Sequence, residues 1–374
     1  MDTSDHGEYP LARVRVNALR FCLCLACWVT AMAPSLPAAK PPYEVWSDPT
    51  NSAKTFRGRL AAVYGPMVFF ETKSERAASA VLDSLEPRDA VRVADFLAKP
   101  VAPPAPWSTS TAAITRALRG NLVILRDRRL VDFDPGTQPE PLFYLIYFSA
   151  GWCGPCHQFT PSLVAEYKQL RAWGMNDFEV VFVSDDRDGV EMLEYMREMG
   201  MPWPALARTM VHRMEAVTKF AGDGIPCLVV IDRDGHLLFH SYSGDQYLGP
   251  DEPLDRFKQV RLLCVPGNQQ MAGIQYRFER TVYLERNKAF TVPPKPYFIH
   301  LDPTRFRNSG VTRFRLSLSV ASDGTVVDAH VLDEIPPGLD MLAKSQARHC
   351  LFFPAIKAGE YCAGEVVLPV DFSQ

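Results

Sequence analysis

The chain has 374 residues, more than double the usual size of a single domain, so two or three domains are expected. It is 47% hydrophobic and 22% charged, too apolar for wholesale disorder. Its 40 Lys and Arg against 43 Asp and Glu leave a net charge of -3, which counts against nucleic-acid binding by phosphate neutralisation. No apolar run suits a multi-pass membrane protein, and nine cysteines are too few to staple a chain this long, so each is read by its position.

Residues 1–39 read as a secretory signal. Arg13, Arg15 and Arg20 precede an apolar run from Phe21 to Ala33, and small residues and prolines follow up to Ala39. Cleavage is expected after Ala33 or near Ala38 and Ala39. An uncleaved anchor and a lipid-modified Cys27 are the alternatives; otherwise Cys22, Cys24 and Cys27 are small apolar residues of the leader. From residue 42 to 99, short stretches such as Thr55 to Leu60 and Met67 to Glu71 read as strands of a small β module, closed by a helix from Glu86 to Leu97. Residues 100–111 are Pro-rich and are expected to form a stiff, extended linker.

The centre of the chain carries the chemistry. Leu142 to Phe148 is a near-continuous apolar run, as expected of a central buried strand. Trp152-Cys153-Gly154-Pro155-Cys156 comes next, and then a helical stripe of Phe159, Leu163, Val164, Tyr167 and Leu170. Phe178 to Ser184 reads as a strand and Gly189 to Met199 as a helix. Cys227 to Ile231 and Leu237 to Phe239 form a hairpin across Asp234-Gly235, and Leu254 to Leu263 a closing helix. The order implies a mixed sheet covered by helices on both faces. Cys153 sits where a strand hands over to a helix, so its sulfur faces unpaired N–H groups and the positive end of the helix dipole. That setting favours thiolate, the form that attacks disulfides. Cys156, one turn on, is placed to resolve a mixed disulfide.

The residues Tyr147 to Cys156, Phe182-Val183-Ser184-Asp185-Asp186, Met201-Pro202-Trp203, Gly224-Ile225-Pro226 and Pro161 resemble thioredoxins, within them the tryparedoxin and nucleoredoxin branch. The resemblance spans residues 112–265 and implies an α/β thioredoxin-like fold. It also implies that Pro226 is the cis proline packed against the cysteines, that Ile225 offers backbone groups to an extended substrate, and that Trp152 rims the sulfur. Two positions depart from the pattern. Tyr147 stands where thioredoxins carry a buried Asp, which leaves the proton acceptor unassigned, and Gly154-Pro155 stands where this branch more often has Pro-Pro.

Competing readings are simpler. A zinc site needs two more ligands, and His349-Cys350 lacks ligand spacing. A purely structural Cys153–Cys156 disulfide has no use for Trp152, Gly154 and Pro155. Cys227 reads as buried filler before it reads as a third redox thiol. Asp185 and Asp186 read as a solvated strand end, and His157 as a solvent-facing helix residue. Cys264 ends a helix and has no assigned role.

From 270 to 374 the expected order is a strand at Arg315 to Val320, a Ser322-Asp323-Gly324 turn, a strand at Val326 to Val331, a helix from Leu339 to Cys350 and a last strand from Glu365 to Phe372. With Phe353-Pro354-Ala355 and the closing Val-x-x-Pro-Val-x-Phe, this resembles the TonB-type carboxy-terminal domain, a contact module of bacterial envelopes. Residues 42–99 resemble a Sla-type SH3-like barrel. Cys350 and Cys362 are either bonded or two separate thiols. The reading is therefore a protein-disulfide reductase outside the cytoplasm, in the bacterial periplasm. Cys153 and Cys156 are its catalytic pair, and Trp152, Gly154, Pro155, Ile225 and Pro226 contact substrate. No cofactor or metal is implied. The implied partners are disulfide-bonded proteins, a thiol electron donor and an envelope protein at the carboxy-terminal module. The alternatives are a redox-inactive scaffold on the same fold, or an oxidase or isomerase using the same site.

Overall fold

The computed structural model describes residues 42–49, 51–73 and 77–372, and the expected leader lies outside them. The described chain forms two compact units, 42–275 and 276–372. No helix among the described residues is long and apolar enough to cross a membrane.

The first unit opens with strands β1 (Glu44–Asp48), β2 (Asn51–Tyr64), β3 (Met67–Thr72) and β4 (Ala77–Val81), an antiparallel meander in chain order, and then helix α1 (Pro87–Leu97). Gly65 makes the tight β2–β3 turn possible, with φ +54°. Trp46 is buried under α1, where its indole N–H donates to the Gly58 carbonyl (3.1 Å) and the Arg92 guanidinium covers its ring (3.5 Å). This module shares a core with the rest of the unit. The Phe69 and Phe239 rings lie 5.4 Å apart, those of Tyr64 and Phe143 lie 4.7 Å apart, and the Tyr64 hydroxyl donates to Asp232 (3.3 Å).

The body of the unit contains α2 (Ala113–Leu118), β5 (Leu122–Arg126), β6 (Arg129–Asp132), β7 (Phe143–Ser149), α3 (Gly154–Ala172), β8 (Phe178–Ser184) and α4 (Gly189–Met199). It continues with β9 (Ala205–Leu206), α5 (Glu215–Thr218), β10 (Cys227–Asp232), β11 (Leu237–His240), β12 (Tyr242–Ser243), β13 (Gln246–Tyr247) and α6 (Asp251–Leu263). Seven strands form one mixed sheet in the order β11-β10-β7-β8-β9-β5-β6, with β7 parallel to β8 and antiparallel to β10. The alternation along β7 explains its unbroken apolar run. Phe143, Leu145 and Tyr147 enter the core under α3, α4 and α6, whereas Tyr144, Ile146 and Phe148 enter the opposite core with Ile114, Leu118 and Val217. The expected mixed sheet with helices on both faces is present.

The Pro-rich stretch differs from its expected form. Trp107 is buried in the second core, its N–H donates to the Gln138 carbonyl (2.9 Å), and the Glu140 N–H donates to the Ala105 carbonyl (2.8 Å). The apolar ring and these backbone bonds turn the second half of residues 100–111 into part of the body rather than a spacer.

Helix α7 (Gln269–Asn287) carries the chain into the second unit, which holds β14 (Lys295–Phe298), α8 (Pro303–Asn308), β15 (Arg313–Val320), β16 (Val326–Val331), α9 (Pro337–Ala347), β17 (Leu351–Phe353), β18 (Ala355–Lys357), β19 (Glu360–Cys362) and β20 (Gly364–Asp371). Its main sheet has the order β16-β15-β20, all antiparallel. Phe314, Leu316, Leu318 and Val320 alternate into a core with Phe306 and Phe352. Helix α9 stops at Ala347, three residues before the expected end. Cys350 and Cys362 are separate thiols, and the Cys350 sulfur accepts the His300 N–H (3.3 Å).

Candidate active site

Strand β7 ends at Ser149, a turn crosses Ala150 to Trp152, and α3 begins at Gly154. Cys153 is the N-cap of α3, with extended backbone (φ −91°, ψ 106°), and its sulfur accepts the Cys156 N–H at 3.2 Å. A thiol in the place of a capping hydroxyl thus meets the unpaired N–H groups and the dipole of a 19-residue helix. Pro155 stands in the first turn, where its missing N–H costs nothing, and Pro161 lies within the helix. Cys153 and Cys156 are bonded to one another; Cys153 is 5% exposed and Cys156 fully buried, so Cys153 is the more accessible of the two.

The expected substrate contacts lie around this sulfur. The Ile225–Pro226 bond is cis, and the Ile225 carbonyl oxygen is 3.7 Å from Cys153 Sγ. The Ile225 N–H has no hydrogen-bond partner among the described residues and is available to an extended chain. Gly154 and Pro155 are exposed on the approach to the sulfur. Trp152 is 63% exposed, held by its indole N–H to the Asp185 carbonyl (3.2 Å), and forms a rim rather than a cover.

One expectation is corrected. Asp186 is not a solvated strand end but is 1% exposed. Its Oδ1 accepts the Gly151 N–H (2.7 Å), its Oδ2 accepts the Ser184 hydroxyl (2.7 Å), and its own N–H donates to Ser184 Oγ (3.0 Å). These bonds keep a carboxylate satisfied without water. Gly151 is tied on its other side as well, because His157 Nε2 lies 2.7 Å from its carbonyl and donates to it. The residue two places before Cys153 is therefore gripped by side chains from β8 and α3. A larger residue there is crowded, since a Cβ would come within 3.1 Å of Tyr195 Cβ.

Beneath the pair lies a hydroxyl network that includes Tyr147. Thr160 Oγ1 donates to the Cys156 carbonyl (2.7 Å), so its single proton is spent. The Tyr147 and Tyr195 hydroxyls, at 2.8 and 2.7 Å, must then donate to Thr160, and Ser149 must donate to Tyr195 (2.9 Å). Burial, and then the neighbouring Tyr195, push the Tyr147 phenol far up, so it stays neutral. Tyr147 thus positions α3 and is not the acceptor that the buried Asp of thioredoxins provides. Sequence reasoning placed Tyr147, and Ser149 within the same stretch, but gave Ser149 no role and missed Thr160 and Tyr195, which come from α3 and α4. Cys227 is fully buried, and burial pushes its thiol up to about 11, which suits filler rather than a reactive thiol.

Residues 143–237 match a family described as thioredoxin-like. The chain is similar to probable nucleoredoxin 1 of Arabidopsis thaliana, 38% identical over 122 residues, covering 30% of this chain and 20% of that protein. It is similar to nucleoredoxin of Homo sapiens, 38% identical over 94 residues, covering 25% of this chain and 21% of that protein. Among solved structures, tryparedoxin I from Leishmania major aligns at 27% identity and a TM-score of 0.28, covering 34% of this chain and 85% of its own. The chain spans about a fifth of the length of the curated relatives it matches. The central region is a thioredoxin-like domain.

Proposed function

We propose that this chain is a thiol–disulfide oxidoreductase that reduces disulfide bonds in proteins outside the cytoplasm. The carrying observation is Cys153 at the N-cap of α3 beside cis-Pro226, with the Ile225 N–H unpartnered. In the reduced protein, the Cys153 thiolate attacks one sulfur of a substrate disulfide and releases the other as a thiolate. The resulting mixed disulfide is attacked by Cys156, which frees the reduced substrate and closes the Cys153–Cys156 bond. Two electrons pass to the substrate, and a thiol donor must return them. Thioredoxin-like proteins act on protein disulfides, which supports this class of substrate.

The test is the acidity and potential of the pair. Cap and dipole favour thiolate, so Cys153 in the reduced protein is expected to titrate below the free-thiol value of about 8.5. Its alkylation rate against pH, with Cys156→Ser as control, reads this directly. A potential near about -270 mV supports the reductase, and one near about -120 mV an oxidase. Titration at or above about 8.5 makes the redox-inactive scaffold the better reading.

The extracytoplasmic setting rests on the basic and apolar leader. Mass spectrometry of protein from its native host is expected to find a start between Pro34 and Tyr43. An intact leader on cytoplasmic protein would overturn it. The β15–β20 region, which resembles the TonB-type carboxy-terminal domain, is proposed as the contact for an envelope partner, and the β1–β4 module as an SH3-like barrel.

A further inference from the structure

A groove of about 390 Å³ adjoins the dithiol at Pro155 and Pro226 and is lined as well by Phe159, Tyr247, Pro250 and Asp251. Gln158 and Ser162 add neutral polar groups to these walls. The Tyr247 wall is built in place. Its hydroxyl donates to the Pro226 carbonyl (2.8 Å), and its ring lies 4.9 Å from that of Tyr242. Tyr242 in turn donates to the Gly224 carbonyl (3.4 Å) and covers Gly222, where a Cβ would meet its ring at 2.2 Å. The two tyrosines thus bond the carbonyls on both sides of Ile225, while the Ile225 N–H stays unpartnered among the described residues. A substrate strand paired there lies next to the groove, because Pro226 borders both.

The groove carries one charge. Asp251 is its only lining residue with a carboxylate or a basic group, and that carboxylate has no ion-pair partner among the described residues. It stands in the first turn of α6, where the helix dipole favours a negative group. Residues 154–162 and 242–255 contain no Lys or Arg, and Arg256 is engaged over Phe239 (4.7 Å) and with Glu252 (3.4 Å). A groove that joins apolar and neutral polar walls to an unpaired carboxylate fits a side chain with an alkyl stem and a cationic tip.

We infer that this groove selects disulfide substrates with Lys or Arg close to the cysteine that Cys153 attacks, the stem lying on Phe159 and Tyr247 and the charge at Asp251. This rests on the reductase reading and names its substrate class. The experiment uses the reduced full chain and peptides that each close one disulfide and differ only in the residue flanking the attacked cysteine: Lys, Gln or Glu. At low salt the Lys peptide is expected to show a kcat/KM about 5-fold above the Gln peptide, the size of a partly exposed ion pair with aromatic contact. The ratio should approach one in 0.5 M salt, roughly a 4 Å screening length. It should also approach one in Asp251→Asn, and the preference should turn toward Glu in Asp251→Lys. Equal rates on the three peptides, or a Lys preference that survives both high salt and Asp251→Asn, overturn the inference. A small uncharged disulfide is run alongside. Its reduction with equal peptide rates removes only the selectivity, whereas no reduction of it removes the reductase reading itself.

Discussion

Cys153→Ser is expected to bring disulfide reduction down to the uncatalysed background, while Cys156→Ser accumulates substrate as a mixed disulfide. The asymmetry follows from exposure and position. Cys153 is the N-cap of α3 and the less buried member of the pair, so without it no thiolate meets the substrate. Cys156 is fully buried one turn further on, so its loss leaves the first attack intact and removes only the resolving step. Non-reducing gels of the two variants with a disulfide-bonded protein separate these outcomes. Trapping by Cys153→Ser in place of Cys156→Ser would reverse the two roles.

Asp186→Ala is expected to cost about 2–3 kcal/mol in stability, because it strands the Gly151 N–H and the Ser184 hydroxyl in a buried place. The same change frees the turn that aims Cys153. A misplacement of about 1 Å at a reacting group is worth up to about 100-fold, so the reduction rate should fall by about 10- to 100-fold. Asp186→Asn keeps an acceptor for Gly151 and should retain most of both. Denaturant midpoints give the first number, and alkylation of Cys153 with substrate turnover gives the second. An Ala variant with the parent's midpoint and rate would mean that His157 alone holds the turn.

Much of this protein was legible in its sequence where the signal is local. The run from Leu142 to Phe148 marks a strand buried on both faces, and Asp234-Gly235 marks the β10–β11 hairpin. The Cys-Gly-Pro-Cys spacing after a strand fixes a thiol at a helix start, because cap, dipole and one-turn separation all follow from neighbours in the chain. Alternation along Arg315 to Val320 likewise suffices for β15.

Other features depend on distant partners. The β5–β6 hairpin went unread because its turn uses Asp127 and Arg128 at positive φ (46° and 65°) without a glycine to signal it. Trp107 looked like part of a spacer until the far face of the sheet offered it a core. Asp186 looked solvated because nothing beside it in sequence shows that the Gly151 N–H lies 2.7 Å away. The same holds for the hydroxyls of Ser149, Thr160 and Tyr195, and for the Tyr247 bond to Pro226. Sequence by itself determined the place of the cysteine pair and the strand before it, since those depend on backbone periodicity and helix-end geometry. Only the tertiary structure decided which buried polar groups hold the pair in place, because each must find a partner within about 3 Å and the chain brings those partners from separate elements.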